Sequence, residues 1–332
     1  MVLAAGLGTR LRPLTNRWPK PALPLLGQPL LRYDFALLKA AGVASVGMNT
    51  HHLPEVMRAC GEEEAVRAGL SLTCVHEPAI QGTGGGIRGL RALLSDGDFL
   101  VLNGDILFAV DLRPVVQAHR ASGAAATMVL LPMPAGEKFA AVEVDPEWNV
   151  RRIAGHGPGG ARLSPWHFTG VHVMSPAVFD FMRAGGPEDI NREVYVRMLE
   201  AGLRVRGHVA SGYWSDLGTP QRYLATQRDL LFGQVPLEPF GESNPFAGRV
   251  RTQAGWIAPG VEARTAGPAF VEPGARVHPG ARLGSAVYVA ADSEVGEGAR
   301  LNRVTVFPGT RIRPGEELVD CLAWGEERLP AA

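Results

Sequence analysis

Residues 3 to 21 read Leu3-Ala4-Ala5-Gly6-Leu7-Gly8-Thr9-Arg10-Leu11-Arg12-Pro13-Leu14-Thr15-Asn16-Arg17-Trp18-Pro19-Lys20-Pro21, a short apolar run that breaks into a glycine turn and then presents fixed cations. Gly6 and Gly8 remove side chains where a backbone must approach phosphate oxygens. They also permit the positive φ that lets consecutive N–H groups converge on an anion. Arg10 and Lys20 then supply charge. Pro13, Pro19 and Pro21 stiffen the segment between them, which lowers the entropy lost when such a loop closes on a ligand. The string has neither the third glycine of the dinucleotide fingerprint nor the Gly-Lys-Ser/Thr of the P-loop, so those two phosphate motifs do not apply.

Downstream, the pattern alternates between helix and strand. Leu30, Leu31, Phe35, Leu37 and Leu38 recur at helical spacing within residues 29 to 42 and end at Gly42, a natural C-cap. Val43 to Thr50 and Leu70 to His76 read as strands, Leu53 to Cys60 as a helix, and residues 84 to 94 as a glycine-started helix. Phe99-Leu100-Val101-Leu102 is a continuous apolar run that stops at Asn103-Gly104-Asp105, as a central parallel strand buried on both faces does. Such alternation predicts an open α/β sheet whose ligands gather beyond the carboxyl ends of strands, where the opening loop and Asp105 both lie. Residues 124 to 131, 140 to 145 and Val171 to Met174 read as further strands. Helices are predicted from Pro176 to Met182, Glu193 to Ala201 and Pro220 to Leu231.

The stretch Gly233 to Gly255 is rich in Pro and Gly and reads as a linker. Beyond it Val271, Val277, Leu283, Val289, Val295, Leu301 and Phe307 recur every six residues, with a small or β-branched residue four positions after each from Ala275 to Thr305. One inward aliphatic residue per six, with Pro-Gly turns between, fits a hexapeptide parallel β-helix of two to three coils. The domains are therefore expected at 1–232, with a linker at 233–255 and a β-helix at 256–332. So short a coil is expected to serve structure or assembly of a homo-oligomer, with Trp256 and Trp324 as contact residues, and its deletion to affect assembly or regulation more than chemistry.

The 332 residues carry 33 basic and 33 acidic side chains, so no global field favours nucleic acid or an anionic membrane, and any phosphate binding must be local. There is no apolar run of membrane-spanning length and no secretory leader, and Cys60, Cys74 and Cys321 are odd in number and widely spaced. A cytoplasmic protein is expected. Met1 and Val2 give little lead into the first strand, so either that strand is short or the native start lies a few residues upstream. The His51-His52 pair lacks a partner at zinc-like spacing and reads as loop.

The complete opening string resembles the Gly-x-Gly-Thr-Arg-Leu-x-Pro-Leu-Thr…Pro-Lys-Pro signature of sugar-1-phosphate nucleotidylyltransferases, the NDP-sugar pyrophosphorylases. The resemblance implies an α/β fold, a Rossmann-like open mixed sheet, here followed by a short left-handed parallel β-helix. It extends to Asp105 in Leu-Asn-Gly-Asp and to Asp216 in Trp-Ser-Asp-Leu-Gly-Thr-Pro, which resemble the family's two Mg2+-binding aspartates. Taken alone, Asp105 would initiate a turn, and Thr219-Pro220 would cap a helix. Arg10, Lys20 and Asp105 are the implied catalytic residues. The nucleotide is implied at Leu3, Ala4, Ala5, Gly6, Gly8, Thr9, Arg10, Asn103 and the Gln81-Gly82-Thr83-Gly84 base loop, with Asn49 a weaker candidate. The sugar phosphate is implied at Lys20, Glu143, Gly170, Asn191 and Asp216. Many members carry Glu-Lys-Pro ahead of that glycine, yet residues 151 to 170 contain no lysine, leaving Arg152 or Arg162 as replacements.

These motifs imply an NTP, either GTP or UTP, and a sugar-1-phosphate as partners. A catalytic domain with a short β-helix resembles the mannose-1-phosphate guanylyltransferase branch. Thr-Gly-Gly-Gly-Ile and Phe-Thr-Gly-Val-His are more similar to uridylyltransferases acting on N-acetylmuramate-1-phosphate, and glucose-type sugars stay open. A regulatory homologue that binds NDP-sugar without turnover is the reading from another class.

Overall fold

The run Phe99–Asn103 is an interior strand, parallel to Val2–Leu3 on one side and antiparallel to Ser164–Met174 on the other. The computed structural model describes residues 1–134, 136–246, 251–252, 255–256 and 265–331, with the pairs 251–252 and 255–256 described by backbone alone. Strands Ser71–His76, Ser45–Thr50, Val2–Leu3 and Phe99–Asn103 lie side by side in parallel. Ser164–Met174 then runs against Phe99–Asn103, Ala126–Leu131 and Ala141–Val144, and Val205–Val209 and Val150–Ile153 complete a nine-stranded sheet. The expected open mixed α/β sheet is present.

Alternation along the central strand builds two core layers. Leu100 and Leu102 face Leu31, Phe35 and Leu38 of helix Leu30–Ala40 and Met57 of helix Pro54–Ala68. Phe99 and Val101 face Ile87 of helix Gly82–Gly89, Leu94, and Met198 of helix Tyr195–Glu200. Each large side chain so buried contributes roughly 1.5–3 kcal/mol, which fixes the sheet whose strand ends carry the site.

Several boundaries differ from the sequence reading. The helix expected at 84–94 is two, Gly82–Gly89 and Arg91–Leu94, meeting at Leu90. The helix expected from Glu193 is a π-helical turn, Ile190–Val194, continuing as Tyr195–Glu200, and Pro176–Phe181 is 3-10. An unanticipated ribbon pairs Ile106–Ala109 with Tyr213–Asp216. It sets Asp216 opposite Ile106, and Leu217 N donates to Asp105 O at 3.3 Å, so two distant aspartates become neighbours.

The C-terminal strands stack in parallel: Arg276 lies beside Glu294, and Glu294 beside Arg311. Two further faces repeat this step, Arg282 to Arg300 to Glu317 and Phe270 to Tyr288 to Thr305. Steps of 18 and then 17 residues are compatible with a three-sided coil. The shorter step breaks the strict period of six. Val304, Val306 and Ile312 therefore fill the coil interior, while Phe307 joins the core of the N-terminal half instead of pointing inward.

The region read as a linker is packed where it is described. Phe240 and Phe246 are buried edge-on against Tyr33, with ring centroids at 5.8 and 6.0 Å. On the other side Phe307 stacks on Trp18 at 5.5 Å and meets Tyr223 at 6.0 Å. Fully buried Gln227 donates to Ala286 O at 3.3 Å and accepts from Thr305 Oγ1 at 2.6 Å. The coil thus shares one hydrophobic core with the sheet. The Trp256 side chain lies outside the described residues.

Candidate active site

The glycine turn leaves the sheet at the carboxyl end of Val2–Leu3 and wraps into a 3-10 turn, Thr9–Leu11. Gly8, at φ +60°, begins that turn, and its carbonyl accepts from Thr15 Oγ1 at 2.9 Å. A Cβ there would lie 2.9 Å from Thr15 Cγ2. Gly6 has a different reason for being glycine. A Cβ on it would meet no protein atom within 4 Å, because it opens onto a cavity of about 470 Å³.

Leu3, Ala4, Ala5, Gly6, Gly8, Thr9, Arg10, Lys20, Gly82, Thr83, Asn103 and Asp105 all line that one cavity. Lys20 is 5% exposed, and its Nζ sits 2.9 Å from Asp105 Oδ2 and 3.1 Å from Asp216 Oδ1. A buried ammonium needs such paired charge. Arg10, largely exposed, reaches Asp216 Oδ2 at 3.9 Å. Gly218 also lines the cavity, and a Cβ on it would lie 2.8 Å from Asp216 Oδ1.

At the other end the loop is braced by a buried polar chain. Ala4 N donates to Asn49 Oδ1 at 3.0 Å, Asn49 Nδ2 to Glu77 Oε1 at 2.8 Å, and Gln81 N to Glu77 Oε2 at 2.9 Å. Glu77, Ile80 and Leu7 line the cavity and went unread in the sequence. The available signal for Glu77 was its place just past the carboxyl end of strand Ser71–His76.

The loop of residues 81–84 is clamped from behind. Gly82, at φ +70°, and Gly84 press on the backbone of Glu188, whose carbonyl accepts from Gly84 N at 2.8 Å. The Glu188 carboxylate is fully buried, with Arg88 Nη1 at 3.4 Å, Arg183 N at 3.2 Å and Arg197 bonded to it as well. Thr83 Oγ1 accepts from Ile190 N at 2.9 Å.

Other expected residues fall outside this cavity. The Gln81 side chain donates to Ala79 O at 2.8 Å. Glu143 stands 3.8 Å from Arg152, Gly170 at φ +84° lies against Asn103, and Asn191 Oδ1 is buried without a partner among the described residues. Arg152 is thereby engaged, and Arg162 is exposed.

Among the described residues no group of three or more His, Cys, Asp or Glu side chains gathers for a metal. The pair Asp105 and Asp216 still suits Mg2+, which binds one or two protein carboxylates and takes its other oxygens from phosphate and water.

An open α/β sheet with a phosphate-type loop and paired carboxylates at its strand ends is the architecture of a nucleotide-handling protein. The chain belongs to the Nucleotidyl transferase family, whose profile matches residues 1–232. It is 31% identical over 319 residues to the mannose-1-phosphate guanylyltransferase of Mycobacterium tuberculosis, covering 95% of this chain and 81% of that protein. It is 26% identical over 342 residues to the UTP–glucose-1-phosphate uridylyltransferase of Synechocystis, covering 98% and 87%. In fold it matches a Bacillus anthracis protein described as a glucose-1-phosphate thymidylyltransferase, crystallised with sucrose, with a TM-score of 0.58 and 24% identity over 72% of this chain and 97% of that one.

Proposed function

We propose that this chain transfers a nucleoside monophosphate from an NTP to a sugar-1-phosphate, releasing pyrophosphate, with GTP and mannose-1-phosphate as its substrates. The observation that carries the reading is the Asp105–Lys20–Asp216 contact at the edge of a cavity walled by the glycine loop. The Mycobacterium tuberculosis relative supports the choice of nucleotide and sugar. The Synechocystis relative and the Thr-Gly-Gly-Gly-Ile string favour a second reading, UTP with a glucose- or N-acetylmuramate-type sugar-1-phosphate.

Asp105 and Asp216 would hold Mg2+, which when bound draws charge from phosphate oxygens. The loop N–H groups and Arg10 bind the triphosphate, and Lys20 holds a phosphate beside the two aspartates. Thr83, Gly82 and the Asn49–Glu77 brace shape the base end, while Glu143, Gly170 and Asn191 belong to the sugar side. The sugar phosphate oxygen, anionic near neutral pH, attacks the α-phosphorus in line, and the bond to pyrophosphate breaks. No protein nucleophile is needed, so catalysis is positioning and charge stabilisation.

The three thiols are free, which suits a reducing cytoplasm. Among the described residues no helix is long and apolar enough to cross a membrane. We also infer association of copies through the coil, where Val319 is 56% exposed, and light scattering in solution tests it.

A pyrophosphate-release screen of GTP, UTP, dTTP, CTP and ATP against a panel of sugar-1-phosphates, with Mg2+ and after chelation, tests the function. Turnover is expected with one dominant pair and lost on chelation. Asp105→Asn is expected to lower kcat by about 100-fold or more with the fold left intact. Unchanged turnover in that variant removes the mechanism, and inactivity of the parent with every pair favours an NDP-sugar-binding regulator.

A further inference from the structure

We infer that Arg222 is a cation that receives the sugar phosphate, in exchange for its pair with Glu137; this rests on the reaction proposed above. Asp216 is shared by three cations. Its Oδ1 takes Lys20 at 3.1 Å, while its Oδ2 faces Arg222 Nη1 at 3.3 Å and Arg10 Nη2 at 3.9 Å. Arg10 lines the nucleotide cavity. Arg222 does not, and its guanidinium leaves helix Pro220–Leu231 toward residues 136–140. There Nη2 donates to Glu137 Oε2 at 2.6 Å, and the guanidinium carbon lies 5.3 Å from the centre of the Phe139 ring.

Joining two phosphates requires a cation for each, because both are anionic as they close to reacting distance. Arg10 serves the nucleotide side, and Lys20, held between Asp105 and Asp216, lies between the two phosphates. On the sugar side the stretch 151–170 offers no lysine, Arg151 is bound to Asp145 at 2.8 Å, and Arg152 and Arg162 stand as described above. Besides Lys20, Arg222 is in hydrogen-bonding contact with an implied metal carboxylate. Its second edge holds a carboxylate that a phosphate can replace, since both present paired oxygens to a planar guanidinium. The Glu137 side chain is 44% exposed, so that pair is weakly held and easily exchanged.

An aromatic cluster lies beside the arginine. Phe139 packs on His167 at 4.4 Å and edge-on to Trp214 at 5.5 Å. His167 is 3% exposed, with both ring nitrogens buried and without hydrogen-bond partners among the described residues. That unused polar capacity lies in the same cluster as the arginine, and movement of Phe139 would be needed to open it to a sugar hydroxyl.

Steady-state kinetics of the full chain, each substrate varied with the other saturating, tests the assignment. Arg222→Gln is expected to raise KM for the sugar-1-phosphate about tenfold or more while KM for the NTP stays within about twofold, and Arg222→Lys to raise it less. Glu137→Gln is expected to move the same constant the other way, lowering it about twofold to fivefold, because the guanidinium is no longer held. A purely structural role for the Arg222–Glu137 pair predicts the same direction of change in both variants. An equal rise in both KM values, a loss in kcat alone, or a Glu137→Gln variant whose KM stays or rises overturns the inference. If Arg222→Gln fails to fold, Arg222→Lys and Glu137→Gln decide by the same split. A parent protein inactive with every substrate pair overturns the proposed function instead, so the two failures are distinguishable.

Discussion

Asp34, 1% exposed on helix Leu30–Ala40, keeps Oδ2 without a hydrogen-bond partner among the described residues. Burial first, and then the Asp105 carboxylate, push its carboxyl well above the usual range, with the N-terminal ammonium acting weakly in the other direction. The folded protein therefore holds a proton that the unfolded chain gives up above about pH 4. The stability linked to Asp34 is complete below that pH and is lost as pH rises toward the raised value, by up to about 1.4 kcal/mol per pH unit. Asp34→Asn is accordingly expected to be near neutral at pH 4 and stabilising at pH 8, as read from urea unfolding at both. A gain independent of pH would show that Asp34 is ionised in the folded state. This residue was invisible in the sequence, where it reads as an ordinary polar position in an amphipathic helix. Lys20, Asp105 and Asp216 were legible because each sits in a local string with its own spacing. Glu77 and Arg222 were not, since their meaning comes from partners that only folding brings near.

At the level of elements, the loop of residues 81–84 depends on one buried acid. Glu188 takes three arginines on its carboxylate and the Gly84 amide on its carbonyl, so it joins helix Gly82–Gly89 to the turn Ile190–Val194. Glu188→Ala removes the buried acceptor of Arg88, while Arg183 keeps Glu193 and Arg197 keeps Phe181 O, at a cost of about 1–3 kcal/mol. Denaturant unfolding should show that loss, and KM for the NTP should rise more than KM for the sugar-1-phosphate. Equal effects on both constants would mean that the clamp supports the whole domain rather than the base end. The parallel strands were readable because a continuous apolar run such as Phe99 to Leu102 has few alternatives. The ribbon Ile106–Ala109 with Tyr213–Asp216 was not, because pairing across more than a hundred residues leaves no local period. The π-helical turn at Ile190–Val194 escaped for a related reason: Asp189 caps it through Asn191 N and Arg192 N, a geometry that hydrophobic spacing does not report.

Across the whole molecule, the coil and the sheet are one folding unit at their seam. The six-residue repeat was plain in the sequence, but the same repeat hid Phe307, which occupies an inward position by count and an outward one in space. Its ring is fully buried among Trp18, Tyr223 and Trp324. Trp18 stands two residues before Lys20, in the segment that carries the buried ammonium to Asp105 and Asp216. Packing on the coil therefore helps to hold the segment that carries Lys20 in place. Phe307→Ala removes that support and leaves a void, at a cost of about 3–5 kcal/mol. Deletion after residue 250 goes further, exposing Trp18, Tyr223 and Leu231 and stripping Gln227 of its partners Ala286 and Thr305. The shortened chain is expected to aggregate or melt well below the full chain, and Phe307→Ala to lose cooperativity at its seam before its sheet. Tryptophan fluorescence against far-ultraviolet dichroism during denaturation measures this. A truncated protein that melts and turns over like the full chain would show that the shared core is a contact between two independent domains.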